Sequence, residues 1–121
     1  MSGNNRRGGT IYFKVDSTQY EAKGEFSYNI GQGKRTTIVG ASSVHGYTEE
    51  VQAPFIEGAI TDSKDVVLKT LLNLDDVTVT LELANGKTIV LRNGWSTNEG
   101  TVKTKEGEIP VRFEGKSCEE A

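Results

Sequence analysis

The stretch DDVTVTLELANGKTIVLRNGW, residues 75–95, has the pattern of a β-hairpin. Val77, Val79 and Leu81 alternate with polar residues, which is the period of a strand with one buried face. Asn85-Gly86 tolerates the positive φ angles of a tight turn, so the chain can reverse direction there. The pattern therefore predicts a β-rich fold.

The alternation also constrains the turn of this hairpin. A two-residue turn at Asn85-Gly86 would set Leu81 opposite Val90 and would place the apolar sides of the two arms on different faces. A three-residue loop, Asn85-Gly86-Lys87, with its glycine in the left-handed region, pairs Leu81 with Leu91 instead. We predict the three-residue loop, because it puts the apolar residues of both strands on one face of the hairpin.

The first half of the chain contains further strand patterns. Residues 11–15 and 20–30 alternate between apolar and polar, and the second run is a long strand with one wet face. Gly31-Gln32-Gly33 is typical of a turn, which predicts a second hairpin into residues 34–40. Residues 41–50 are small, polar and interrupted by glycine, so we expect an extended loop there, with at most one weak strand, from Val44 to Thr48.

A helix is expected at about residues 63–74. Asp62 or Ser63 can accept hydrogen bonds from the first free amides, and Asp65 would complement the helix dipole. Five apolar residues then follow at helical spacing: Val67, Leu68, Leu71, Leu72 and Leu74. Shorter strands are expected at 51–61, 101–105 and 109–114. These elements predict a mainly β fold, an antiparallel β-sandwich or barrel with one flanking helix and long hairpins.

The length and charge of the chain restrict what it can do. A chain of 121 residues is one domain, which we place at 10–115 between a flexible arm at 1–9 and a loose acidic tail at 116–121. Seventeen acidic and fourteen basic residues give a net charge of −3, the wrong sign for gripping nucleic acid by its phosphates. No apolar run reaches the ~20 residues of a membrane span, and the start lacks a signal peptide. We expect a cytosolic protein without membrane insertion.

The residue types needed for catalysis or metal binding are scarce. His45 is the one histidine and Cys118 the one cysteine, so we expect no metal site, no cofactor and no enzyme activity. A triad of Ser43, His45 and an acid can be written, but no strained turn presents the serine. Cys118 is either an inert tail thiol or a reactive, intermolecular one.

Taken together in order and spacing, several segments resemble one family, the tail tube proteins of Mu-like contractile-tailed bacteriophages. The resemblance covers nearly the whole chain. The segments that carry it are Gly9-Thr10-Ile11-Tyr12 after a polar start, Arg35 through His45-Gly46-Tyr47 with Glu49-Glu50, Ala53-Pro54-Phe55-Ile56-Glu57-Gly58, Leu83-Ala84-Asn85-Gly86-Lys87, Trp95, and Glu106-Gly107-Glu108 to Arg112-Phe113-Glu114-Gly115.

The resemblance implies a structural virion protein with a fold similar to phage and type VI secretion tube proteins. Six copies would form a ring, and stacked rings would form the inner tail tube through which DNA is ejected. Implied partners are further copies of itself and the tail sheath, tape measure, baseplate and tail terminator proteins, with assembly in the host bacterial cytoplasm. The alternative from the residues alone is a small monomeric β-barrel binding module for a peptide or carbohydrate.

Within such a tube, two groups of residues are candidates for function. The polar side of the long strand offers lumen-facing candidates: Glu21, Glu25, Ser27 and Asn29. The alternative for these residues is an outer solvated face or a face covered by the sheath. The candidates for contacts between subunits or rings are Arg6, Arg7, Arg35, His45, Tyr47 and Glu49. A ring of six such subunits carries a formal charge of −18, which would repel DNA phosphates from an acidic wall.

Overall fold

A computed structural model describes residues 11–121 of the chain. The predicted flexible N-terminal segment at 1–9, with Arg6 and Arg7, lies outside the described residues. The elements in chain order are β1 Tyr12–Val15, β2 Thr18–Asn29, β3 Lys34–Val39, β4 Val44–Glu50, β5 Phe55–Thr61, α1 Leu68–Leu72, β6 Asp75–Glu82, β7 Thr88–Ser96, β8 Glu108–Glu114 and β9 Ser117–Glu120.

Six of the strands close into an antiparallel barrel. Their order is β6-β1-β2-β5-β8-β7, and pairing of β6 with β7 completes the circle. β9 adds to β7, while β3 and β4 pair only with each other in a separate two-stranded sheet. The predicted mainly β fold with a barrel and one helix is confirmed.

The barrel interior is an apolar core built from alternate residues of its strands. Phe13 lies at its centre, with ring centroids 5.1 Å from Phe26 and 6.1 Å from Phe113. Such tilted aromatic contacts add to the stabilisation that burial itself provides. The buried core residues are Phe13, Val15, Ile56, Ile60, Leu71, Val77, Val79, Leu81, Ile89, Leu91, Ile109, Val111 and Phe113.

The β6–β7 hairpin has a different register from the one predicted. Leu81 faces Ile89, not Leu91, and the three-residue loop is Ala84-Asn85-Gly86. Gly86 has φ +92° and its amide donates to the Leu83 carbonyl at 3.0 Å, so the left-handed glycine was predicted correctly. The loop begins one residue earlier than predicted. The resulting register shift of two residues preserves the side-chain alternation, and one face of the hairpin still faces the core.

The predicted helix at 63–74 is wrong in length and in its cap. Only Leu68–Leu72 is helical, and neither Asp62 nor Ser63 caps it. Val67 precedes the helix with φ −95° and ψ 109°, an extended conformation that suits its β-branched side chain. The residues before it form a turn, in which the Val66 amide donates to the Ser63 carbonyl at 3.0 Å.

Two separate strand pairs belong to one long hairpin. Asn29 faces Phe55 at the end of the β2–β5 pair, and Lys34, five residues on, faces Glu50, five residues back. The register is therefore continuous across a break at 30–33 and 51–54. We call β3 and β4 with their turn, residues 34–50, the arm. Gly31-Gln32-Gly33 is its base and not the predicted hairpin turn. The weak strand expected at Val44–Thr48 is β4, which is longer than expected and pairs with β3.

The C-terminal residues also differ from the prediction. The tail predicted to be loose contains β9, whose Glu119 and Glu120 form ion pairs with Arg92 and Lys87. The strand predicted at 101–105 is reduced to a single bridge between Lys103 and Glu108. The sequence did not predict β9 because the segment is acidic, and the basic residues that pair with its carboxylates lie far from it in the sequence.

Candidate functional site

The arm is exposed along its whole length. Every residue of β3 and β4 has an exposed side chain. Among the described residues, six large hydrophobic side chains are exposed, and five of these lie at 38–51: Ile38, Val39, Val44, Tyr47 and Val51. Val51 is 99% exposed and Val39 is 70% exposed. Such a concentration of exposed apolar side chains marks an interaction surface, because a two-stranded hairpin alone is marginally stable in water.

One face of the arm carries most of these apolar side chains. Val39 is opposite Val44, and Thr37 is opposite Tyr47, so these residues project from the same face. Arg35 completes the face: its guanidinium lies 4.6 Å from the Tyr47 ring centroid, and its Nε is 3.6 Å from a Glu49 carboxylate oxygen. We call this set the apolar face of the arm.

Three of the predicted contact residues, Arg35, Tyr47 and Glu49, are thus brought together on the apolar face. Arg35 lies on β3, within the hairpin predicted at 34–40, and Tyr47 and Glu49 lie on β4, where the sequence predicted an extended loop with one weak strand at Val44–Thr48. His45 stands apart at the tip, in a bulge next to Gly46, which has φ +118°. The His45 ring packs against Gly40, where an added Cβ would lie 2.0 Å from its Nε2.

Sequence reasoning missed Val39, Val44 and Val51 as interaction residues. Their β-branched side chains are typical of strands, and by themselves they suggest burial. One weak signal could have indicated that they are exposed: around them the sequence has many polar and glycine residues and shows no regular alternation.

The second candidate region is the outer face of β2, β5 and β8, which we call the wall face. It consists of side chains that point away from the barrel core. Glu21 is exposed and accepts a hydrogen bond from Thr61 at 2.6 Å, and Ser27 is opposite Glu57. Glu25 is exposed at an irregularity of β2, and Asn29 accepts a bond from the Gly31 amide at 2.7 Å. The four predicted lumen residues therefore share the outer side of one long strand.

An arginine bridges two strands on the wall face. Arg112 of β8 donates from Nη1 to Glu57 at 2.9 Å and from Nε to Glu114 at 3.1 Å, and its guanidinium lies 4.1 Å from the Phe55 ring centroid. Burial lowers the pKa of Arg112, but the hydrogen bonds to both carboxylates outweigh it, so the pKa is raised. This cation remains charged and is held between two anions.

Other types of site find little support in this part of the chain. Within residues 11–121, no group of three or more His, Cys, Asp or Glu side chains could hold a metal ion. A surface depression of about 340 Å³ is lined by Thr18–Glu21 and by residues at 61–66, and His45 does not border it. In the same region no helix has the length and apolar character that a membrane span requires.

A closed β-barrel with a long projecting arm that exposes apolar side chains is typical of a structural subunit that associates with other chains. Residues 4–120 match the family model described as phage tail tube protein, and the chain belongs to this family. A curated relative, the tail tube protein of Escherichia phage Mu, is 27% identical over 111 residues, which cover 92% of this chain and 91% of the relative. The resemblance predicted from the sequence is confirmed.

A solved structure supports the fold. A chain in the cryo-EM structure of the anti-feeding prophage cap, which terminates the tube, superposes with a TM-score of 0.64 at 8% sequence identity. The match covers 93% of this chain and 87% of the cap chain. Membership of the family implies a structural role in the phage tail tube, as a component of the virion tail that assembles with itself and with other tail proteins.

Proposed function

We propose that six copies of this chain form a ring and that stacked rings form the inner tube of a contractile phage tail, the conduit for DNA ejection. The observation that carries the proposal is the arm, which together with the adjoining Val51 exposes five large apolar side chains outside the barrel. A monomer would keep this surface in water, whereas a neighbouring subunit would bury it.

The energetics of the arm favour association. Burial of apolar surface contributes about 25 cal/mol per Å², so contacts repeated around a ring and between rings add up to a stable tube. The arm forms a two-stranded sheet separate from the barrel. Contact between an arm and a different surface of the next subunit is heterologous, and such contacts generate rings or filaments.

The arm residues would mediate these contacts. Arg35, Tyr47 and Glu49 present charge and an aromatic ring beside the apolar valines, while His45 lies at the tip where it would meet a neighbouring ring. Arg6 and Arg7 are proposed as additional contacts near the start of the chain. In the assembled tail the outer partners would be the sheath, tape measure, baseplate and tail terminator proteins, with assembly in the host bacterial cytoplasm.

The wall face would line the lumen. Its charged side chains on β2, β5 and β8 are five carboxylates and two cations: Glu21, Glu25, Glu57, Glu108, Glu114, Lys23 and Arg112. An acidic surface repels phosphate, so DNA would slide along this wall without binding it. Glu21, Glu25, Ser27 and Asn29 would then face the tube axis.

Association can be tested directly on the purified protein. Size-exclusion chromatography over a concentration series, with negative-stain microscopy of each fraction, should reveal rings or tubes as concentration rises. A protein that remains monomeric at the highest concentration would contradict the proposal and favour a monomeric binding module.

The role of Arg35 has its own matched pair of variants. Arg35→Glu should weaken tube formation, because it places two carboxylates side by side on the apolar face. The exchanged variant, Arg35→Glu with Glu49→Arg, restores the ion pair within the arm. If Arg35 contacts a neighbour, the exchange fails to restore tubes; full recovery would assign Arg35 to the arm alone.

A further inference from the structure

We infer that the wall face presents no free arginine to DNA, because Glu57 and Glu114 neutralise Arg112 within the same subunit. The inference rests on the proposed lumen position of this face. It assigns Glu57 and Glu114 a role that overall acidity does not explain: they prevent a repeated arginine from binding phosphate.

The environment of Arg112 is the main support. A guanidinium binds phosphate through planar pairs of N–H donors. Here Nη1 and Nε already donate to Glu57 and Glu114, which belong to two different strands, and the Phe55 ring covers one face of the group. The Arg112 side chain is only 35% exposed. A phosphate that approached the remaining N–H donors would meet the two carboxylates beside them, and their charge would repel it.

Lys23 is held in a different way. Its Nζ donates to the backbone carbonyl of Glu106, in the segment between β7 and β8. Exposed Glu21 and Glu25 lie two residues before and after it along β2. The lysine is thereby directed along the barrel surface, and carboxylates flank it on both sides.

A single unpaired cation per subunit would matter for DNA binding, because every copy of the subunit in the tube repeats it. Each phosphate that a cation neutralises releases counterions, so binding strengthens with the number of contacts and weakens with salt. An unpaired Arg112 would recur once per subunit and six times in each proposed ring. DNA in such a tube would meet rings of cations at regular intervals and would be retained.

The test compares tubes that are assembled with a short fluorescent DNA duplex, treated with nuclease and then sedimented. Nuclease-protected DNA reports on the lumen. We expect the wild-type tubes to protect only background DNA, and tubes of Glu57→Gln with Glu114→Gln to protect about tenfold more at low salt, with the excess lost as salt rises. The single variants Glu57→Gln and Glu114→Gln should fall between these values, and they serve if the double variant does not fold.

A triple variant separates the role of Arg112 from net charge. Glu57→Gln with Glu114→Gln and Arg112→Gln has the same net charge as either single variant, but it lacks the arginine. It should return to the wild-type level of protected DNA. Equal protection by the triple and single variants, or no rise in the double variant, would overturn the inference while leaving the tube itself intact. Failure of the wild-type protein to form tubes would instead contradict the proposed function, and the inference with it.

Discussion

The barrel and the arm use similar residues for opposite purposes. Strands of both regions contain valine and isoleucine, yet Val79, Ile56 and Ile89 are fully buried in the barrel, while Val39 and Val44 of the arm are about 70% exposed. The barrel buries its apolar residues within one subunit. The arm leaves them in water. Strand-forming residues therefore specify a strand but not the surface that covers it.

The two regions should therefore respond differently to mutation. A change in the barrel should alter the free energy of unfolding of the monomer, and a change in the arm should alter association. The following predictions test that separation, starting with the largest effect.

The combined variant Val39→Asp with Val44→Asp should abolish tube formation. Two carboxylates on the apolar face would have to be desolvated at a subunit contact, which is costly without a partner. The free energy of unfolding of the monomer should change by less than about 0.5 kcal/mol. Negative-stain microscopy and urea unfolding measure the two effects. The matched control is Thr101→Asp with Thr104→Asp, which adds the same charge to an exposed segment outside the arm and should still form tubes.

Phe113→Ala should cost about 3–5 kcal/mol of unfolding free energy, the range for loss of a buried aromatic ring. The ring is fully buried and packs against Phe13. Tyr47→Ala removes an aromatic ring from the arm and should change the monomer by less than about 0.5 kcal/mol. Urea denaturation of both monomeric variants provides the comparison. Similar losses in the two variants would show that the arm contributes to the stability of the barrel.

Two glycines offer a more selective comparison. At Gly58 an added Cβ would lie 2.6 Å from the Phe26 ring, which Phe13 holds from the other side. Gly58→Ala should therefore cost about 1–3 kcal/mol by overpacking. At Gly40 the corresponding clash is with the exposed ring of His45, which can rotate away. Gly40→Ala should cost less than about 0.5 kcal/mol. Thermal unfolding of both variants would show whether the loss of stability depends on how freely the neighbouring ring can move, and not only on the distance of the clash.

The smallest effect concerns β9 and depends on pH. A hydrogen bond and charge attraction between Glu120 and Lys87 lower the pKa of the carboxyl below 4.5 and raise that of the amine above 10.5. The carboxylate's contribution to stability is complete above pH 4.5 and is lost as pH falls through the lowered pKa. The lysine's contribution is lost as pH rises through its raised pKa.

An NMR titration that follows the Glu120 side-chain carboxyl carbon and the Lys87 Cε carbon should show both transitions. Glu120→Gln should remove the acid transition and leave the barrel core resonances unchanged. Because the pair is exposed, the effect on global stability should be small. Amides of β9 that remain in a random-coil position at neutral pH would contradict its pairing with β7 and would favour a loose tail.

The sequence predicted the barrel well where one face of a strand is buried. Alternation in residues 11–15, 20–30 and 77–83 located three of the barrel strands, since burial imposes a period of two. The β6–β7 register was predicted two residues away from the observed one. Alternation fixes only which face is buried, and both registers satisfy it.

The arm could not be predicted from the sequence, because no buried core imposes a regular spacing on its apolar residues. The arm has no buried residue, so neither its pairing nor its apolar face has a periodic signal. The helix was overestimated because an apolar stripe at 67–74 suits both a helix and a short turn packed on the barrel. Of the candidate contact residues, Arg35, Tyr47 and Glu49 were identified through a family resemblance, and their common face follows from the register of β3 and β4.

We propose that the barrel folds alone and that the arm joins subunits. Replacing residues 31–53 with Asn-Gly, a two-residue turn that closes the β2–β5 hairpin in its existing register, separates these two roles. Sedimentation velocity combined with urea unfolding should show a monomer at every concentration, with a cooperative transition like that of the intact monomer. Rings or tubes formed by the armless protein, or a barrel that no longer unfolds cooperatively, would contradict the claim.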